Sequence, residues 1–306
     1  MSDGNTVLVP GAGSTTRHRG RSRDPLTGGW KRWLLAVPVL AVMIPLLIIP
    51  LVQMVRSSFD VQSRGVKTEG IWTLENYIKF VTDPFFWNAL IQTLAIGLAT
   101  AFVCFLIGYP YAYFVTRRVA WRQLQIAVLI APLLVNMVAR VYGWQVLLSN
   151  SGLINGALLG LGIVKEPVQL LYTHFAVVLA LVHVLLPYMV LSIYAVLGSI
   201  DRSYEDAARS LGATKLRVFL DITLPLSRPG ITAGLILVFT LAAGSFLVPS
   251  VMGGGRINTL PTLTYQYAQT LDWPLASVIA IILTVVTTPI IIAYQRRSLR
   301  PQASGR

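Results

Sequence analysis

Six stretches of the sequence are each apolar for about the 20 residues that a membrane-crossing helix needs, and none of them carries an acidic residue. They cover residues 33–55, 89–115, 124–147, 175–197, 231–251 and 275–294. A chain with this pattern is solvated by lipid, where backbone polar groups must be satisfied within the segment itself, so the expected fold is all-α with six transmembrane helices. The composition agrees. Apolar residues make up 55%, charged residues 12%, and the mean hydropathy is +0.66, whereas a soluble domain carries about 25% charged residues.

The net charge of +13 invites a nucleic-acid reading, but the lysines and arginines fall mostly in short blocks at the ends of the apolar stretches. Such blocks set orientation, because positive loops are retained in the cytoplasm. With the N-terminus inside, 18 of the 25 basic residues lie on the inner side and every inner segment is basic. Six spans then return the C-terminus to the same side. Stretch 33–55 is longer than the 7–15 apolar residues of a cleaved signal, so it is expected to be an uncleaved first span.

The missing intramembrane acids weigh against an ion-driven secondary transporter, which commonly places ionisable groups there. They weigh equally against an intramembrane enzyme. No phosphate-binding G-x-x-x-x-G-K-[ST] loop is present, so any ATP must be bound by another chain. The three histidines, the lone Cys104 and the acids show no metal-ligand spacing.

Between the fourth and fifth stretches lies Ser203-Tyr-Glu205-Asp206-Ala207-Ala208-Arg-Ser-Leu-Gly212, followed by Ile-Thr-Leu224-Pro225. Ser203 and Asp206 have the spacing of a capping box, and acids in the first turn suit the helix dipole. Gly212 stands where a helix is stopped. A slim helix over 204–211 is expected, then a second over 214–223 that ends before Pro225. Such a loop suits either a docking helix or an amphipathic segment resting on the membrane.

The spacing of Asp206-Ala207-Ala208, Gly212 and Leu224-Pro225 resembles the coupling loop of type I ABC importer permeases. That family's usual glutamate is replaced here by Asp206, with Glu205 adjacent. Gly108-Tyr109-Pro110-Tyr111, Arg140-Val-Tyr-Gly-Trp144, Gly152-Leu-Ile-Asn155 and Phe246-Leu-Val-Pro249 are similar to the spermidine/putrescine branch. Iron, sulfate and aminophosphonate permeases share related patterns.

The resemblance implies a pore-forming, non-enzymatic subunit in a bacterial inner membrane, with no cofactor of its own. Implied partners are a dimer of ATPase subunits, which bind the ATP, a second permease in a heterodimer, and a periplasmic or lipid-anchored substrate-binding protein. It also implies a division into a disordered basic cytoplasmic tail (1–30), a first span with a periplasmic connection (31–87), a permease core (88–295) with its coupling loop at 198–228, and a cytoplasmic tail (296–306). Arg140, Tyr109, Trp144 and Phe246 are candidates for the pore or substrate path. For Arg140 the commoner arrangement is a side chain snorkelling to the outer headgroups. Trp72, Tyr77, Phe85, Phe86, Trp87, Trp144, Tyr172 and Trp273 are expected to form an outer aromatic belt.

Overall fold

A computed structural model describes residues 29–63, 66–117 and 121–298. Most of the two expected tails, residues 1–28 and 299–306, lies outside them. The first helix, α1 (Gly29–Ser57), contains Pro38, Pro45 and Pro50. Its residues as far as Val52 belong to a unit separate from the rest of the described chain. From Val37 onward α1 is apolar, and its large side chains, such as Val42, Leu46 and Leu47, are exposed. Such a surface is stable only against lipid or another apolar partner.

The connection after α1 has regular structure of its own. Strands β1 (Asp60–Ser63) and β2 (Val66–Trp72) pair as an antiparallel hairpin, the only sheet among the described residues. It is secured to the following helix, α2 (Glu75–Thr82). Asn76 donates to the Asp60 carbonyl at 3.1 Å, and the Ser58 and Tyr77 hydroxyls meet at 2.8 Å. Tyr77 and Phe86 are therefore packing residues rather than parts of an exterior belt. Phe86 is buried and stacks on Phe80 with ring centroids 5.2 Å apart.

Three helices make the main core: α3 (Pro84–Arg117), α7 (His174–Ser199) and α11 (Arg228–Ala243). They approach closely because small residues stand at the crossings, as membrane helices require where lipid removes the usual hydrophobic drive. Gly230 and Gly234 lie four apart on α11 and face α7. A Cβ on Gly230 would stand 2.9 Å from the Ser192 carbonyl oxygen. Cys104 is fully buried in this core, as a small hydrophobe is expected to be. A second cluster joins α2 and the start of α3 to α13 (Leu260–Gln269) and α14 (Trp273–Ser298) through Phe80, Phe86, Leu263 and Ile279.

The hydropathy pattern misleads in two places. Stretch 124–147 is not one helix. Helix α4 (Arg122–Ile130) runs into a 3₁₀ turn over Ala131–Leu134, the backbone is extended at Val135, and α5 (Met137–Leu148) starts afresh. The path bends by 92° and continues into α6 (Leu153–Gly160). Pro132 supplies no N–H to a helical ladder, and Asn136 caps the new helix by accepting from the Val138 N–H at 2.8 Å. Stretch 231–251 is also broken: α11 stops at Ala243, and α12 (Leu247–Gly253) begins after Gly244-Ser245-Phe246. Four described helices are long and apolar enough to cross a membrane, or six if two bent pairs each count as one span: residues 122–134 with 137–160, and residues 215–226 with 228–243, the latter bent by 61° at Ser227.

Candidate functional site

The loop between α7 and α11 folds into α8 (Ser203–Ser210), α9 (Lys215–Val218), a π turn over Phe219–Thr223, and α10 (Leu224–Leu226). The capping box read from Ser203 and Asp206 is not formed. Ser203 is the first helical residue, and its backbone N–H donates to the Asp201 carboxylate at 2.9 Å. That hydrogen bond, with a further one from the Ser203 side chain, holds the Asp201 carboxyl below the usual range. At the other end Gly212, at φ +83°, closes a Schellman motif. Its N–H donates to the Arg209 carbonyl, and the Ala213 N–H donates to the Ala208 carbonyl.

The next helical segment does not end before Pro225. The π turn lets the chain pass through it, with the Leu224 N–H reaching back to the Phe219 carbonyl. Widening the ladder to i−5 shifts the carbonyls that a proline ring otherwise strikes.

The two acids of α8 have different surroundings. Glu205 is 4% exposed. Its carboxylate pairs with Arg117 at the end of α3, accepts from the Thr223 hydroxyl at 2.8 Å, and lies 3.8 Å from Arg209. A buried carboxylate is tolerated when a cation and hydrogen-bond donors surround it. Asp206 is exposed, and its side chain has no partner among the described residues.

Glu205 is one of three anchors that fix the loop to α3. Phe219, from the π turn, lies edge-on to Tyr109 and Tyr113 at 5.7 and 5.5 Å. The Tyr109 hydroxyl bonds Ser227 at 3.0 Å. Outward, the loop presents Asp206 together with apolar side chains that solvent does not favour: Tyr204 is 60% exposed and Leu211 89%. Ala207 and Ser203 are exposed on the same short helix, while Ala208 is half-buried. Exposed apolar groups beside an acid with no partner among the described residues are the chemistry that a groove lined by a base would complement.

A cavity of about 680 Å³ opens where the two broken spans meet α7. Leu133 to Met137 line one side, Gly244 to Leu247 another, and Leu181, Leu185 and Tyr188 the third. Non-helical backbone at membrane depth is stable only where it is buried in protein or lines a water-filled space, and both breaks meet that condition. Arg140 and Phe246 are among the lining residues. Tyr109 is not; it is buried in the α3 anchor. Trp144 also stands outside the lining, packed edge-on to His183 at 5.6 Å.

Three members of the anchor escape a reading by motif. Arg117 reads as one of the basic residues that set orientation, and Thr223 and Ser227 read as ordinary loop residues. The chain distance of 88 residues between Arg117 and Glu205 hides the pair. The one local signal is an acid beside the expected one.

Comparison with known proteins gives consistent matches. Residues 9–300 match the family model described as the inner membrane component of binding-protein-dependent transport systems. The chain is 34% identical over 253 residues to the spermidine/putrescine transport system permease protein PotB of Escherichia coli K12, covering 82% of this chain and 91% of that one. It is 34% identical over 230 residues to PotB of Haemophilus influenzae, covering 73% and 79%. Among solved structures, a bacterial ABC transporter that imports alginate, in complex with its substrate-loaded periplasmic protein, superposes with a TM-score of 0.75 over 92% of this chain and 98% of that one, at 16% identity. That likeness concerns the fold.

Proposed function

This chain belongs to the family of inner membrane components of binding-protein-dependent transport systems, and from that premise we propose that it is one of two pore-forming permeases of an ATP-driven polyamine importer. The substrate class rests on its likeness to the spermidine/putrescine permeases. The mechanism rests on one observation: α8 is fixed to α3 by the buried Glu205 while it turns Asp206, Tyr204 and Leu211 outward.

In this reading the loop 203–226 lies in the cytoplasm, with both termini, and docks in a groove of an ATPase subunit. ATP binds the ATPase dimer, not this chain. Closure of the dimer draws α8 inward, and the Arg117–Glu205 pair passes that displacement to α3. Helix α3 packs on α7 and α11, whose residues wall the cavity. The pore therefore changes its exposure when the docking helix moves. ATP drives this only to the extent that it binds one pore state better than the other. A binding protein delivers the solute from outside, and a second, different permease completes the pore.

The test is reconstitution in lipid vesicles with the ATPase, the partner permease and the binding protein, with ATP-dependent uptake of spermidine and putrescine measured. The wild type is expected to transport, and Asp206→Lys is expected to insert normally but lose uptake. Uptake that survives Asp206→Lys refutes the role given to the acid. ATP hydrolysis stimulated by another solute, with no polyamine uptake, refutes the substrate. A chain that recruits no ATPase refutes the importer.

A further inference from the structure

Arg140 stands in a setting that this chain does not complete. It is the one charged residue among those lining the cavity. Its Nε and Nη1 atoms are buried and have no hydrogen-bond partner among the described residues. A guanidinium is charged at every physiological pH and offers five donors in a fixed fork, so burying two of its nitrogens without an acceptor is unfavourable. The Ser245 hydroxyl, in the same lining, is also buried and has no partner among the described residues. The cavity further receives the first residues of α5, a 12-residue helix whose dipole adds positive potential there.

Among the described residues no acid forms an ion pair with this charge. The six apolar stretches contain no Asp or Glu. Among the described residues, every ion pair belongs to Arg117, Arg209 or Arg217. Snorkelling, the expectation for Arg140 from sequence, does not account for two buried nitrogens in a cavity wall.

We infer that the Arg140 cavity is completed by a carboxylate of the second permease subunit, which inserts at the two helix breaks and pairs with the guanidinium across the pore. This rests on the proposed polyamine substrate. A polyamine carries no acid of its own, so it cannot neutralise Arg140, and an unpaired cation beside the path would repel it. The carboxylate therefore belongs to the protein that shares the pore. A carboxylate suits this site, because it pairs with a guanidinium through charge-assisted hydrogen bonds, and such a pair would fix the register of the two permeases.

The inference is tested in the full transporter, with each intramembrane Asp or Glu of the partner permease substituted in turn. Arg140→Glu is expected to lower uptake and co-purification of the partner by about tenfold or more, as the loss of a desolvated charge pair does. One partner position changed from acid to Arg should restore both. The same position changed to Cys should form a disulfide with the Arg140→Cys chain. Crosslinking and co-purification require no solute, so they remain informative if the polyamine reading fails.

The inference is overturned if no partner position restores Arg140→Glu and none crosslinks. It is also overturned if Arg140→Gln leaves uptake and assembly at wild-type levels. A third result would overturn it in a different way: assembly unaffected by Arg140→Gln, with loss of uptake confined to a carboxylate-bearing solute, which would assign the guanidinium to the cargo.

Discussion

Substituting the two neighbouring acids of α8 should separate the inner brace of the docking helix from its outer contact. Glu205→Ala removes the partner of Arg117 and the acceptor of the Thr223 hydroxyl. Breaking a buried pair by deleting one member costs roughly 3–5 kcal/mol. The Arg117 side chain keeps 22% of its surface in water, so its stranded charge is partly solvated, and about 2–3 kcal/mol is the better expectation. At about 1.4 kcal/mol per decade, the local opening equilibrium of α8 should rise about 30- to 150-fold. Glu205→Gln keeps an acceptor for Thr223 and should fall between.

The assay is amide hydrogen exchange of 203–213 in the membrane-inserted chain, without its partners. Protection of these amides reports local opening directly. Asp206→Ala should leave protection near the wild-type value, because its exposed side chain has no partner in the described structure, yet it should lose ATPase docking. Equal loss of protection in the two variants, or no loss in Glu205→Ala, would refute the division of roles.

Four further outcomes are expected. Gly230→Ala should lower thermal stability in detergent by about 1–3 kcal/mol, because its Cβ meets the Ser192 backbone at 2.9 Å, whereas Gly234→Ala should be milder, because it meets the movable end of Met189. Tyr109→Phe should cost about 1 kcal/mol through the lost bond to Ser227, with uptake retained once the protein is folded. The Asp201 carboxyl is held below its usual range by Ser203, so its stabilisation of the α8 start is present above the unfolded value near pH ~4 and is lost as pH falls through the lowered one. A spin label at Ser210 should therefore become more mobile in acid, and Asp201→Asn, which keeps a neutral cap, should flatten that dependence. Asn136→Ala should cost about 1 kcal/mol at the start of α5 and should slow uptake without weakening ATPase docking, read by co-purification.

The sequence revealed the amount of apolar chain better than it revealed direction, and of the expected ends of the loop helices only the stop at Gly212 is formed as expected. Each stretch was visible because lipid imposes a single demand, some 20 apolar residues without an acid. Hydropathy sums composition over a window and is blind to a bend inside it. The break at Pro132–Asn136 was nonetheless written locally, since a proline followed by an Asn with a new apolar run is a stop and a cap. The break at Gly244-Ser245 carried a weaker form of the same signal. Gly212 was legible because a left-handed residue ending a helix favours glycine. The partner of Glu205 was not, because a contact between residues 117 and 205 leaves no mark within any window of sequence. The spacing that singles out Asp206 and the packing that buries Glu205 answer different demands, one set by an outside partner and one by this chain's own fold.

That difference bears on how force would travel through the molecule. A helix of eight residues is marginal alone in water, so α8 needs tertiary support to act as a lever. The support comes from α3 through an ion pair, a wedged aromatic ring and a hydroxyl bond, all made near the same end of one long helix. Because α3 is in turn close-packed on α7 and α11 through glycine crossings, a displacement of α8 in the proposed mechanism would be passed on to those helices, as packed interiors yield little. Further along that path lie the helix breaks over residues 131–136 and 244–246, where the backbone ladder is interrupted beside the cavity. The same interruptions that defeat a hydropathy reading thus stand around Arg140 and Phe246, at the end of the path that begins with Glu205.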